Sequence, residues 1–189
     1  ILLSFFGFRR RSCYWPRRSS LQLKLLTYNH EHIMNPIGIM QGRLSPPSDG
    51  KVQSFPWSSW KEEFAVAKEC RFQLIEWTLD QERLYENPLM TESGRMEIRS
   101  LTEANGIHIW SLTGDCFMQA PFYKAKGERK SALLNDFKNI ILSCGDVGIG
   151  NVLIPLVDDG RLENSSHEKS LLEGLSEVTP LLDKFKMQI

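Results

Sequence analysis

Five polar residues stand where an apolar run gives way to turn-forming chemistry. They are Gln41 and Arg43 after residues 36–40, Glu76 inside 72–78, Asp115 after 107–112, and Asp158 after 151–157. Glu76 is the most informative. A carboxylate flanked by Ile75 and Trp77 in an apolar run, if buried, must be paired, hydrogen-bonded or shifted in pKa. It suits a substrate hydroxyl or a proton relay, and equally a structural pairing with Arg43 across neighbouring strands. Arg43 itself suits a phosphate or hydroxyl contact, or the bracing of its own loop. Asp115 and the Asp158-Asp159 pair suit substrate contacts, but residues of this kind more often cap loops or sit as solvated turn acids. No residue is assigned a catalytic role, and no metal ligand is assigned in this chain.

Other chemistry-bearing residues are quieter. Cys13, Cys70, Cys116 and Cys144 lie far apart with no CxxC pair, which points to free thiols in a reducing, cytoplasmic setting. His30 and His32 have no carboxylate or cysteine framework around them. His108 opens a strand and reads as structural, and Trp77 and Trp110 read as packing residues, although an aromatic near a binding mouth can also stack on a ligand face.

Charge is uneven. Residues 1–33 hold six of the 23 basic residues and one of the 23 acidic ones, which leaves 17 against 22, a net −5, in 34–189. An acidic body argues against a nucleic-acid surface. No apolar run approaches the roughly 20 residues that a membrane span needs. The first 33 residues read as a leader outside the fold: an apolar start, Arg9-Arg10-Arg11, Trp15-Pro16-Arg17-Arg18, then Ser19-Ser20. Its basic residues follow the apolar stretch, the reverse of a secretory signal. The segment reads as transit-like or as translated upstream sequence, with Met34 directly before the first strand.

The elements that position the five residues repeat from there. Strands are expected at 36–40, 72–78, 107–112 and 151–157, and Lys186-Met187-Gln188-Ile189 begins a fifth. Between them the pattern predicts helices. The first carries Trp60, Phe64 and Ala67 behind a Ser59–Glu62 capping box. The second carries Ile98, Leu101 and Ala104 and ends at Asn105-Gly106. The third carries Leu133, Leu134, Phe137, Ile140, Ile141 and Cys144. The fourth carries Leu171, Leu175, Val178, Leu182 and Phe185 behind a Ser165–Glu168 box. Ser45-Pro46-Pro47 and Asp49-Gly50 are turn signals.

Strand starts near Ile37, Phe72, Ile107, Asn151 and Met187 recur every 35, 35, 44 and 36 residues. Strand–helix alternation implies a parallel sheet. An open doubly wound sheet would need a phosphate-cradling glycine turn after strand one, and Met40-Gln41-Gly42-Arg43-Leu44 lacks it. Gly145, Gly148 and Gly150 form a helix-to-strand turn instead. The remaining class is α/β, a (β/α)8 barrel truncated to about its first four βα units, because such a barrel takes roughly 250 residues and 34–189 supplies 156. In that architecture, chemistry sits at the C-terminal ends of the strands, which is where the five residues fall.

The runs Met40-Gln41-Gly42-Arg43-Leu44-Ser45-Pro46-Pro47, Phe55-Pro56-Trp57, Leu74-Ile75-Glu76-Trp77, Asn87-Pro88-Leu89 and Asp115-Cys116-Phe117-Met118 resemble the sugar phosphate isomerase/epimerase family with its xylose-isomerase-like barrel. The resemblance covers about 34–189. Cys70-Arg71 departs from it, standing where the family usually turns on glycine, so a looser helix end is expected. The resemblance implies a small sugar or sugar-phosphate substrate. It also implies a divalent cation such as manganese or magnesium that stabilises an enediolate while two carboxylates move a proton. The family's metal ligands belong to strands five to eight, so none carries over. The chain by itself is expected to be an inactive fragment whose open sheet edges allow self-association. Competing readings are a polyol dehydratase of the same barrel type, a non-enzymatic remnant and, disfavoured by the acidic body, a metal-dependent DNA-repair phosphodiesterase.

Overall fold

A computed structural model describes residues 35–46 and 54–189. The leader and the Asp49-Gly50 turn lie outside the described residues. Residues Pro36–Ile189 form one compact unit.

Four strands, β1 (Gly38–Met40), β2 (Leu74–Thr78), β3 (His108–Thr113) and β4 (Asn151–Leu153), form one sheet in the order β1-β2-β3-β4. Every pairing is parallel, with Gly38 opposite Leu74, Leu74 opposite His108 and Ser111 opposite Asn151. The expected fifth strand begins as a single parallel bridge between Asn151 and Gln188. Helices alternate with the strands: α1 (Glu62–Glu69), α2 (Glu92–Asn105), a short α3 (Asp115–Gln119), α4 (Gly127–Val147) and α5 (Ser165–Phe185). This is the arrangement of the first four βα units of an α/β barrel.

The core fills the layer between sheet and helices. Ile75, Trp77, Leu112 and Val152 point into it from the strands, and Phe64, Ile98, Phe137, Ile140 and Val178 from the helices. Two aromatic groups anchor it. Phe55, Trp60 and Trp77 meet in one, and Phe117, Phe122 and Phe137 in the other. α4 and α5 approach closely because Gly145 lacks a side chain: a Cβ there would stand 2.4 Å from the Phe185 ring. Polar bridges reach from each long helix to the next, with Lys61 on Glu97, Arg95 and Arg99 on Asp146, and Lys130 and Lys138 on Glu173 and Glu177.

The helix ends differ from expectation. Ser59 does not cap α1 through its side chain. Its carbonyl takes the Glu63 amide, because the chain is already turning from Pro56, and Lys61 stands at the N-cap with its side chain on Glu97 rather than on a helix amide. α5 is capped by Asn164, whose Oδ1 accepts the amides of Ser166 and His167 at 3.0 Å each, and not by Ser165. Cys70-Arg71 does not give a loose end. Arg71 adopts the left-handed conformation (φ 63°), donates to the Lys68 carbonyl, and lets Phe72 donate to Ala67, a complete Schellman closure. Ala104 is exposed rather than on the buried stripe. Strand four stops at Leu153, ahead of Pro155.

β3 carries an irregularity that matters for the site. Ile75 pairs with Ile109 but Glu76 pairs with Ser111, so Trp110 is an extra residue. A bulge of this kind reverses the alternation beyond it. Ile109 and Leu112 therefore both face the helices, and Ser111 and Thr113 share the opposite, inner face with Glu76. Trp110 does not pack as expected. It is 60% exposed, on the inner face of the sheet.

Candidate functional site

Glu76 is the third residue of β2, half-buried on the inner face. Its two oxygens accept from two β3 hydroxyls, Oε2 from Ser111 Oγ at 2.6 Å and Oε1 from Thr113 Oγ1 at 2.5 Å. Of the partners considered for Glu76, the structure supplies neither Arg43 nor another cation in hydrogen-bond contact but a hydroxyl pair, which the bulge brings onto the same face. Each carboxylate oxygen keeps acceptor capacity beyond its one hydroxyl, so Glu76 can still accept a further hydrogen bond. It overlooks a concavity of about 320 Å³ lined by Gly38, Met40, Leu74, Trp110 and Ser111.

Gln41 extends the sheet past the end of β1. Its amide donates to the Glu76 carbonyl at 2.9 Å, and its side-chain Oε1 accepts the Thr78 amide at 3.3 Å. The residue is 3% exposed and its Nε2 has no partner, so the side chain serves β2 first. Arg43 is exposed in the following loop, with Nη2 3.9 Å from Met40 Sδ.

The two aspartates part company. Asp115 is buried in the first turn of α3 rather than solvated. Beside it, burial pushes the Cys116 thiol well above its usual value, with charge on Asp115 and Asp80 adding to the effect, so this cysteine is no thiolate nucleophile. Asp158 is an exposed turn acid at φ 47° whose carbonyl accepts the Arg161 amide. The structure thus joins Gln41 to Glu76 and leaves Arg43 on the adjoining loop, while Asp115 and Asp158 lie on two neighbouring segments that follow β3 and β4.

Two features escaped the sequence reading. Glu63 in α1 is 1% exposed, and its carboxylate gathers the amides of Gly42 and Leu44 and the Ser45 hydroxyl. A signal for it exists: Glu63 follows Trp60 by three residues and precedes Ala67 by four, so it lies within the apolar stripe. The second is a cleft of about 440 Å³ among the segments that follow β1, β2 and β3, lined by Ser54, Trp57, Asp80, Gln81, Arg83 and Gln119. Asp80 accepts from the Phe55 amide at 3.1 Å and from Gln119 Nε2 at 2.9 Å. The Arg83 guanidinium lies 3.8 Å over the Trp57 ring. Its walls come from loops distant in sequence, and nothing in the spacing announces them.

The resemblance places the ligands of a divalent cation on strands five to eight, outside this chain's own strands. Among the described residues no three His, Cys, Asp or Glu side chains converge. Glu76 and Glu63 are each engaged by protein donors. No chemical step is therefore assigned to a metal here.

The fold is that of the first half of an α/β barrel, and solved barrel structures share it. Among solved structures the chain is similar to 3-keto-D-glucoside 4-epimerase from E. coli, with a TM-score of 0.56 and 14% identity over 80% of this chain and 53% of that one. It is also similar to D-psicose 3-epimerase from Clostridium cellulolyticum H10, solved with D-tagatose, with a TM-score of 0.57 and 10% identity over 81% and 50%. A third is the IolI protein with a binding zinc atom, with a TM-score of 0.52 and 14% identity over 81% and 49%. The chain spans about half the length of each. No family model and no curated protein matches it.

Proposed function

We propose that this chain supplies the substrate-holding half of a sugar isomerase or epimerase. The observation that carries this reading is Glu76, a carboxylate held by two hydroxyls on the inner face of a parallel half-barrel whose solved likenesses include sugar epimerases. In the complete protein, Glu76 receives a sugar hydroxyl, while Arg43 stands on the adjoining loop. Moving the proton beside the carbonyl, through an enediolate, falls to residues of the remaining strands. The isolated chain is then without isomerase activity.

Two measurements test this. Calorimetric titration of the purified chain with manganese should show no stoichiometric binding tighter than about 10 µM; tighter binding would mean that a metal site had been misplaced. In a protein that joins both halves, Glu76→Gln should lower ketose epimerisation at least about tenfold with little change in melting temperature. Unchanged activity in that variant would sink the reading.

A further inference from the structure

The loop after the first strand of a parallel α/β sheet is a common seat for phosphate, because backbone amides and a hydroxyl converge there on an anion. This chain lacks the glycine-rich motif that doubly wound sheets use, yet builds such a donor set on a single glycine turn. Gly42 takes a left-handed conformation (φ 85°), and a Cβ on it would lie 2.9 Å from the Ser54 carbonyl oxygen. Only glycine fits that turn comfortably, and the turn aims the amides of Gly42 and Leu44 and the Ser45 hydroxyl at one point.

That point is already filled. The Gly42 amide lies 3.0 and 2.9 Å from the two Glu63 oxygens, the Leu44 amide 3.1 Å and the Ser45 Oγ 2.8 Å from Oε1. The carboxylate is buried, so these donors are its solvation. An incoming phosphate would have to expel it and leave a buried charge without donors, which is strongly unfavourable.

We infer that Glu63 is an internal anion occupying the phosphate-type cradle of the β1 loop, so that the part of the substrate meeting this loop is an unphosphorylated sugar. The inference rests on the sugar-binding reading above for its substrate, and on the Glu63 geometry alone for the filled cradle. Glu63 is in this sense a specificity-determining residue: it closes to phosphate a set of donors that would otherwise take it, and leaves the loop to hydroxyl recognition.

The test uses the full 189-residue chain, isotopically labelled, and follows the backbone amide signals of Gly42 and Leu44. Titration with inorganic phosphate to about 20 mM, a range that detects millimolar binding, should leave both signals unmoved in the unaltered chain. In Glu63→Ala the vacated donors should respond to phosphate in the millimolar range. Phosphate-dependent shifts of Gly42 and Leu44 in the unaltered chain would overturn the inference, as would a folded Glu63→Ala protein whose amides ignore phosphate. Should that variant not fold, the unaltered chain still decides the matter. A parallel titration with D-fructose separates the two proposals: indifference to both ligands upholds the filled cradle and counts against sugar binding at this loop.

Discussion

The two faces of the sheet are made by the same strands and behave as different materials. Toward the helices, Trp77 is fully buried, packed against Phe55 and Trp60, with its indole N–H on Asn87 Oδ1 at 3.1 Å. On the inner face, Trp110 is 60% exposed and lines concavities with Glu76 and Leu74. The helix-facing side is completed by elements adjacent in sequence. The inner face is polar at Glu76, Ser111 and Thr113, carries exposed Leu153 opposite Thr113, and has no covering layer among the described residues. One side explains why this stretch folds, and the other what it is folded to present.

Substitution of the two tryptophans should expose the contrast most strongly. Trp77→Ala removes a fully buried indole and is expected to cost about 3–5 kcal/mol. Trp110→Ala in the same chain should fall within roughly 0.5 kcal/mol of the parent, as for an exposed side chain. Urea denaturation midpoints measure both, and equal losses would show that the inner face is already packed.

A smaller effect, of opposite sign, concerns the helix-facing layer alone. Arg71 pays for its left-handed backbone with about 1 kcal/mol, so Arg71→Gly should stabilise by about that amount while keeping the Schellman closure. A loss of stability would mean that the arginine side chain makes a contact that outweighs the strain.

The smallest effect lies on the rim. The hydrogen bond from Arg95, together with Arg99, holds the Asp146 carboxyl below its usual value. Because the folded value is the lower one, the stabilisation is present above the ordinary aspartate range and is lost as pH falls through the depressed value. Asp146 is 47% exposed, and solvent screening limits the effect to a few tenths of a kcal/mol, roughly. Asp146→Asn should flatten the stability profile below about pH 4; an identical acid limb would show that the bridge contributes nothing.

Much of the architecture was legible because apolar runs and helical stripes report burial directly. The recurrence of strands, the stripe from Leu134 to Cys144 and the strand beginning near Gln188 all follow from that. Caps were less legible. Asn164 and Ser165 are neighbours with similar capping chemistry, and composition does not say which oxygen turns inward. The bulge left a trace, since the buried positions shift from Ile107 and Ile109 to Leu112, a change of phase that strict alternation cannot produce. The partners of Glu76 depended on that phase, and so the hydroxyls of Ser111 and Thr113 were not among the partners considered for it. The cleft at Asp80 and Gln119 joins loops whose proximity only the folded sheet defines.

The helix-to-helix bridges have a consequence for how the molecule comes into being. Each strand lies beside the one before it, and each long helix is latched to its predecessor by Lys61–Glu97, Arg95–Asp146 or Lys138–Glu177. During synthesis, therefore, every newly emerged unit meets its structural neighbour already made. No strand of the described sheet has to wait for a partner from the far end of the chain, so the order of translation is also an order of assembly.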